Sequence, residues 1–378
     1  MNDTQATNGK DNTEGAKLHM SIELANKDWK LFFGNGSKER SKAISAGDLS
    51  KLEEEIRLAK ERLGLKEGAE VISCYEAGRD GFWLHRYLSS MGIENHVVDP
   101  SSIEVDRRKR RAKTDRIDGK KLLRLLFRYS GGENKTWSVV RVPEVEEEDE
   151  RHLHRELDIL KKERTMHCHR MRSFLKLHGV SDFEPLRRDF EEYVEGIRLW
   201  DGSALPVKVK ERLKREHERL KMVQWQIWEL DRKRKEVLKE GAERHIEQIM
   251  SLRGIGIESA WKFEKEFFGW RKFRNRREVG ALAGLTPTPY DSGESRREQG
   301  ITKAGNRRVR AIAIEIAWIW VRYQPGSKLT RWFNERYAGG GKRMRRIGIV
   351  AVARKLLIDL WRFIEHGVIP EGAIVGQN

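Results

Sequence analysis

Asp115 and Asp118, three residues apart, follow a run of cations, Arg107, Arg108, Lys109, Arg110, Arg111 and Lys113, in the segment RRKRRAKTDRIDGKKLL. Acids at that spacing on a helix share one face, and paired carboxylate oxygens are a usual seat for a hard divalent cation. Phosphate chemistry suits the positive charge beside them. A plain structural reading also fits: Thr114 or Asp115 caps the helix, Asp118 complements its dipole, and the cations form a solvated face. Ser292 is the other candidate. It sits in a Pro-, Gly- and Ser-rich loop, GLTPTPYDSGESRREQG, flanked by Arg296, Arg297, Lys303, Arg307, Arg308 and Arg310. A serine hydroxyl attacks phosphorus only if something takes its proton and something stabilises the charge that develops. The cations answer the second need, and no histidine lies nearby to answer the first. As a plain loop serine it would satisfy a turn.

The elements before Asp115 must position these acids. From Leu18 the sequence alternates in the manner of strands: HMSIELANK and WKLFFGNG predict an antiparallel hairpin with Glu23 in its first strand. Residues 48–64 carry Leu49, Leu52, Ile56 and Leu63 at helical spacing behind an Asp48 cap. EVISCYEAG predicts a buried strand ending at Glu76, with a helix in FWLHRYLSSMG directly after it and a further short strand in NHVVDP. The order β-β-α-β-α-β-α predicts an α/β layer. Glu76 then lies at the carboxyl edge of a sheet, where such folds build their sites. Glu23, Glu76, Asp115 and Asp118 are all able to converge at one end. Taken singly, a strand-end glutamate beside Arg79 reads as a surface ion pair.

The 378 residues hold 76 Lys+Arg against 59 Asp+Glu, a formal charge of +17. That length suggests two or three domains, and the charge suits a polyanion, nucleic acid above all. No apolar run approaches the ~20 residues that span a bilayer, and no signal-like stretch opens the chain, so a cytoplasmic protein without a membrane partner is expected. The two cysteines, Cys74 and Cys168, are far apart and without zinc spacing. Residues 1–17 are polar and read as a disordered tail.

After an acidic run near residue 146, helical stripes at 152–177 and 207–240 predict an antiparallel helical hairpin or coiled coil around a helix-breaking stretch. Gly254-Ile255-Gly256 between two helices resembles a helix-hairpin-helix, whose glycines allow close approach to a phosphate. A tight helix turn is the plain alternative.

With these segments in place, the chain resembles the DEDD-type transposases of insertion sequences, the bridge-RNA-guided serine recombinases. CYEAGRDGFWLHRYL, RRAKTDRIDGKKL, RHLHRELDILKKERTMHCHRMRSFL, LRGIG, LAGLTPTPYDSGESRREQGITKAGNRRVRA and VAVARKLL all match that pattern in the same order. The resemblance implies an α/β N-terminal domain of RNase H-like (resolvase-like) fold at 18–143, an α-helical coiled-coil middle at 144–245, and a mainly α C-terminal serine transposase domain at 246–378. It implies a tetrad of Glu23, Glu76, Asp115 and Asp118 binding Mg2+ or Mn2+, with Ser292 as nucleophile. It further implies cleavage and rejoining through a phosphoserine link, a composite site within a homodimer or homotetramer, and donor and target DNA chosen by pairing to a structured noncoding RNA. Arg107, Arg108, Lys109, Arg110, Arg111, Lys113, Gly254, Gly256, Arg296, Arg297, Lys303, Arg307 and Arg308 are the expected nucleic-acid contacts. The family usually has Asp where this chain has Glu23, whose extra methylene moves the carboxylate outward by roughly 1.5 Å. Two other classes fit parts of the sequence: a metal-dependent junction resolvase or RNase H-like nuclease that cuts with water, and a non-catalytic nucleic-acid-binding relative.

Overall fold

In a computed structural model the chain divides into two compact units, Met1–Pro143 and Glu144–Asn378. The structure describes residues 16–78, 81–103, 115–241, 243–292 and 295–376; at 101, 115–118, 289–292 and 295–299 the description is of backbone. Among the described residues no helix is long and apolar enough to cross a membrane.

The first unit is built on one mixed five-stranded sheet of order β3-β2-β1-β4-β5. Its strands are β1 (Leu18–Glu23), β2 (Asp28–Gly34), β3 (Glu39–Ser45), β4 (Val71–Glu76) and β5 (Glu94–Val98), and its helices are α1 (Leu49–Arg62), α2 (Trp83–Ser90) and α3 (Asp115–Ser130). β1 pairs antiparallel with β2, as the alternating sequence predicts, and parallel with β4. β3 is an addition to the expected order. Its residues ERSKAIS are mostly exposed, because an edge strand has one partner and little core to face.

Period-two alternation sorts the sheet's side chains into two layers. Leu18, Met20, Ile22, Leu31 and Phe33 pack with Leu52 and Ile56 of α1 and Leu84 and Leu88 of α2. The other face takes α3, where Ile72, Cys74 and Val98 meet Leu122, Leu125 and Leu126. Each fully buried aliphatic side chain contributes ~1.5–3 kcal/mol, so one cluster on each face fixes which way every strand residue points. Asp48 caps α1 by accepting from the Lys51 amide at 2.9 Å.

The second unit is mainly helical. It contains α4 (Val145–Asp149), α5 (His152–Lys176), α6 (Phe190–Gly196), α7 (Val207–Lys239), α8 (Arg244–Met250) and α9 (Ile257–Phe263). A π-helical turn at Glu264–Phe268 follows α9 directly. Then come α10 (Arg276–Leu282), the hairpin β6 (Pro287–Ser292) and β7 (Ser295–Ile301), α11 (Arg307–Tyr323), α12 (Lys328–Phe333) and α13 (Lys342–His366).

α5 and α7 run antiparallel, with Leu157 and Leu160 against Val223 and Ile227 at one end and Met171 and Leu175 against Leu213 and Leu220 at the other. Phe183, Phe190 and Val194 close the end where the chain turns back. Helices α8 to α13 enclose one core, in which Phe263, Phe267, Ile316, Trp320, Val352 and Leu356 are buried.

Candidate functional site

Glu23 and Glu76 each end a strand, and the parallel register that matches Ile22 with Tyr75 sets the two glutamates side by side. Both belong to the layer that faces α3. Two residues before Glu23, the buried Ser21 hydroxyl donates to the Gly119 carbonyl of α3 at 2.8 Å. Two residues before Glu76, Cys74 packs on the same helix. Burial and the Glu76 charge push the Cys74 thiol well up, which makes it an inert core group.

α3 runs against β1, since His19 Nε2 meets Ser130 Oγ at 2.7 Å near the helix's far end. Its first turn, with Asp115 and Asp118, therefore lies toward the edge where β1 and β4 stop. Gly119 makes this approach possible: a Cβ there would fall 2.0 Å from the Phe32 ring of β2. The side chains of Asp115 and Asp118, and all of Arg107, Arg108, Lys109, Arg110, Arg111 and Lys113, lie outside what the structure describes. Among the described residues no group of three or more His, Cys, Asp or Glu side chains is arranged to hold a metal. The donor chemistry nonetheless fits a hard cation, because all four expected ligands are carboxylates and the two described ones leave the same face of adjacent strands. Lys30 lies across from Glu23 on β2.

Ser292 is not in an irregular loop. It is the last residue of β6 and pairs with Ser295 of β7. Prolines and glycines hid the strands, because Pro287 and Pro289 read as breakers; the register shifts between them. Arg296 and Arg297 are on β7, opposite Asp291 and Tyr290.

The hairpin's base is tightly knitted to what precedes and follows it. Thr302 donates its amide to the Thr286 carbonyl at 2.9 Å, Lys303 to Gly284 at 3.1 Å and Asn306 to Leu282 at 2.8 Å. Lys303 is held at φ 56°, a left-handed conformation that costs a non-glycine residue energy. Gly284 and Gly305 also have positive φ, and a Cβ on them would strike the Ala304 and Leu282 carbonyl oxygens at 1.9 and 2.1 Å.

Asn306 closes this base and starts α11, its side chain accepting from the Arg308 and Val309 amides. The same side chain donates to Glu266 Oε2 at 3.2 Å. Glu266 is 1% exposed and receives Arg155 through Nε at 2.8 Å and Nη2 at 3.0 Å, with His154 Nε2 2.9 Å from Oε1. Burial pushes this carboxyl up, but the His154 and Arg155 hydrogen bonds more than offset it and hold the group well below the usual carboxylate range.

One carboxylate thus joins α5 to the base of the Ser292 hairpin. Sequence reasoning missed it, because EKEF reads as a charged helix surface. The signal was the adjacent His154-Arg155 pair in α5, whose partner only the fold reveals. Neighbouring ties repeat the pattern: Lys265 bridges Glu150 and Glu243 at 2.9 and 2.5 Å, and Lys262 bridges Asp158 and Glu258 at 2.7 and 2.9 Å.

Gly254 has φ +90°, and a Cβ there would lie 3.1 Å from Ile319 and 3.3 Å from Tyr323, so it seats the turn on α11. Gly256 is exposed and precedes α9. Lys303, Arg307 and Arg308 are exposed around the start of α11. From the hairpin's base a groove of about 1210 Å³ runs past α12 and α13, lined among others by Lys303, Trp332, Tyr337, Arg346 and Lys355.

Residues 246–332 match the pattern described as Transposase IS116/IS110/IS902 family. The chain is 41% identical over 374 residues, 95% of this chain and 94% of the other, to y4rJ of Sinorhizobium fredii, provisionally named a transposase. It is 31% identical over 260 residues, 68% and 60% of the two chains, to y4qE of the same organism, named in the same way. It is 25% identical over 302 residues, 79% and 78% of the two chains, to the transposase for insertion sequence element IS1111A of Coxiella burnetii.

Proposed function

The chain belongs to the IS116/IS110/IS902 transposase family, and from that premise we propose that it cuts and rejoins DNA through Ser292, with Glu23, Glu76, Asp115 and Asp118 holding a divalent cation. A transposase is a DNA-recombination enzyme, and an insertion sequence is the element it moves. The observation that carries the site assignment is the register of β1 and β4, which sets two carboxylates abreast at the edge toward which α3 begins.

In this reading the Ser292 oxygen bonds to phosphorus as its proton leaves. The bond from phosphorus to the departing strand breaks, that oxygen takes up a proton, and a phosphoserine ester remains. A hydroxyl of the incoming strand then attacks the ester, a new phosphodiester forms, and the serine recovers its proton. The count of phosphate ester bonds is unchanged, so no nucleotide cofactor is needed. A bound Mg2+ or Mn2+ would supply positive charge to the reacting phosphate. Arg296 and Arg297 accompany the hairpin, and Arg308 stands at the start of α11, where cations can balance a developing negative charge.

The working form is a homodimer or homotetramer in which acids and serine reach the same phosphodiester. Pairing to a structured noncoding RNA supplies sequence choice, with the protein reading backbone and shape.

Ser292→Ala tests the chemistry. Incubated with element-end DNA, the native chain should yield a protein-DNA adduct that survives denaturing electrophoresis, and the variant should bind DNA without forming it. Normal cutting by the variant would replace this mechanism with hydrolysis by water. Loss of site choice after ribonuclease treatment, with DNA binding retained, is the result expected for the RNA.

A further inference from the structure

The groove at the foot of the Ser292 hairpin combines a cationic surface with an apolar one. Its rim is cationic, with Arg346 and Lys355 exposed and Arg354 half-buried. Its wall carries large apolar groups that no core covers: Ile347 is 45% exposed, Val368 55% and Ile369 51%. Trp332 stands in the same wall, its ring 4.6 Å from the Lys355 ammonium and edge-on to Tyr337 at 5.4 Å between centroids. Lysines and arginines outnumber the two carboxylates that line it, Asp359 and Glu371, and each of these faces a cation, Arg362 at 3.7 Å and Lys328 at 2.6 Å.

Resting on the transposase reading, we propose that this groove binds a single-stranded segment of the DNA substrate, phosphates along the cationic rim and unstacked bases against Trp332 and the exposed aliphatic wall. Duplex DNA presents phosphate outward and keeps its base faces stacked inside, so it gives the apolar wall nothing to cover. Unpaired strands offer both, and base-aromatic stacking is how sequence-tolerant strand binding is achieved. A volume of about 1210 Å³ suits a few nucleotides rather than a double helix. The groove starts at Pro287, Gly300 and Ile301, the base of the two strands that carry Ser292, so a strand held there leads toward the hydroxyl.

Fluorescence anisotropy of the full chain with a short labelled oligo(dT) strand tests the assignment. Binding should weaken steeply with salt, and unlabelled duplex of equal length should compete poorly. Trp332→Ala should weaken oligo(dT) binding roughly tenfold, the loss of about one stacked base, and Trp332→Phe should restore most of it. Arg346→Gln, at an exposed position that the fold does not need, should flatten the salt dependence. Oligo(dT) affinity unchanged in both Trp332→Ala and Arg346→Gln, equal competition by duplex, or a clear preference for oligo(U) would overturn the proposal. Ser292→Ala separates the two readings: it should bind oligo(dT) normally while forming no covalent adduct. Groove variants that bind oligo(dT) as tightly as the native chain, while the native chain forms the adduct, would leave the serine chemistry intact and remove the groove.

Discussion

The Ser21 hydroxyl and the Gly119 carbonyl are joined by a buried 2.8 Å hydrogen bond across 98 residues of sequence, and through it α3 is set on the face of β1 that also carries Glu23. The contact depends on a bare backbone. Gly119→Ala would put a methyl 2.0 Å from the Phe32 ring, an overlap that only movement of the helix or ring relieves. We expect a loss of ~1–3 kcal/mol and a first turn of α3 displaced from the strand edge. Thermal melting of Gly119→Ala against Gly119→Ala with Phe32→Leu checks this, since trimming the ring should recover stability.

Glu23 gives a test of reach. Glu23→Ala should abolish divalent-ion-dependent cleavage while leaving DNA binding largely unchanged, because a carboxylate gives a phosphate backbone no attraction of its own. Glu23→Asp draws the carboxylate back by roughly 1.5 Å, and activity should then differ between Mg2+ and Mn2+, magnesium being the stricter about ligand placement. Cleavage indifferent to both changes removes Glu23 from the ligand set.

Glu266 should be expensive to replace. Glu266→Gln leaves Arg155 and His154 without their charged partner, at a cost on the order of 2–3 kcal/mol, moderated because Arg155 stays about one-third exposed. Asn306→Ala removes an N-cap worth ~1 kcal/mol and the same link to Glu266. Chemical denaturation of the two variants and their combination should show less than additive losses, as expected of residues sharing one network. Full additivity would mean that the two act separately.

Acid should loosen the same region. Glu258 is held at about 2: burial pushes it up, and the hydrogen bonds from Lys161 and Lys262 outweigh that. Glu266 is depressed for the same kind of reason. A carboxyl depressed by folding stabilises above its unfolded value near 4.5 and loses that contribution as pH falls through the folded value. Glu264 runs the other way, raised chiefly by burial, so its contribution is present at low pH and fades as pH rises through the raised value. Melting temperature should therefore drop between about pH 4.5 and 2, less steeply in Glu258→Gln. A profile unchanged by that substitution would remove Glu258 as a cause.

The places of Glu76 and of the start of α3 were legible in the sequence, because a buried strand run followed by a helical one marks a strand end and the pattern RIDGKKLLRLLF marks a helix. β3 was not, because ERSKAIS carries no buried stripe; its pairing comes from the turn at Asn35, whose side chain accepts from the Ser37 and Lys38 amides. β6 and β7 were hidden by prolines whose missing amides an isolated two-stranded ribbon tolerates. Glu266 was illegible for a different reason. Three charged residues in a row read as solvated, and nothing local says that all three turn inward.

All three are buried in the turn at Glu264–Phe268, where the chain closes a backbone hydrogen bond over five residues instead of the four of an ordinary helix, from the Gly269 amide to the Glu264 carbonyl at 2.8 Å. That extra residue works like an added tooth on a gear. Counted from the end of α9, deleting Glu264 or Lys265 would put Phe267 at the place where Glu266 now meets Arg155, and leave the guanidinium facing a phenyl ring.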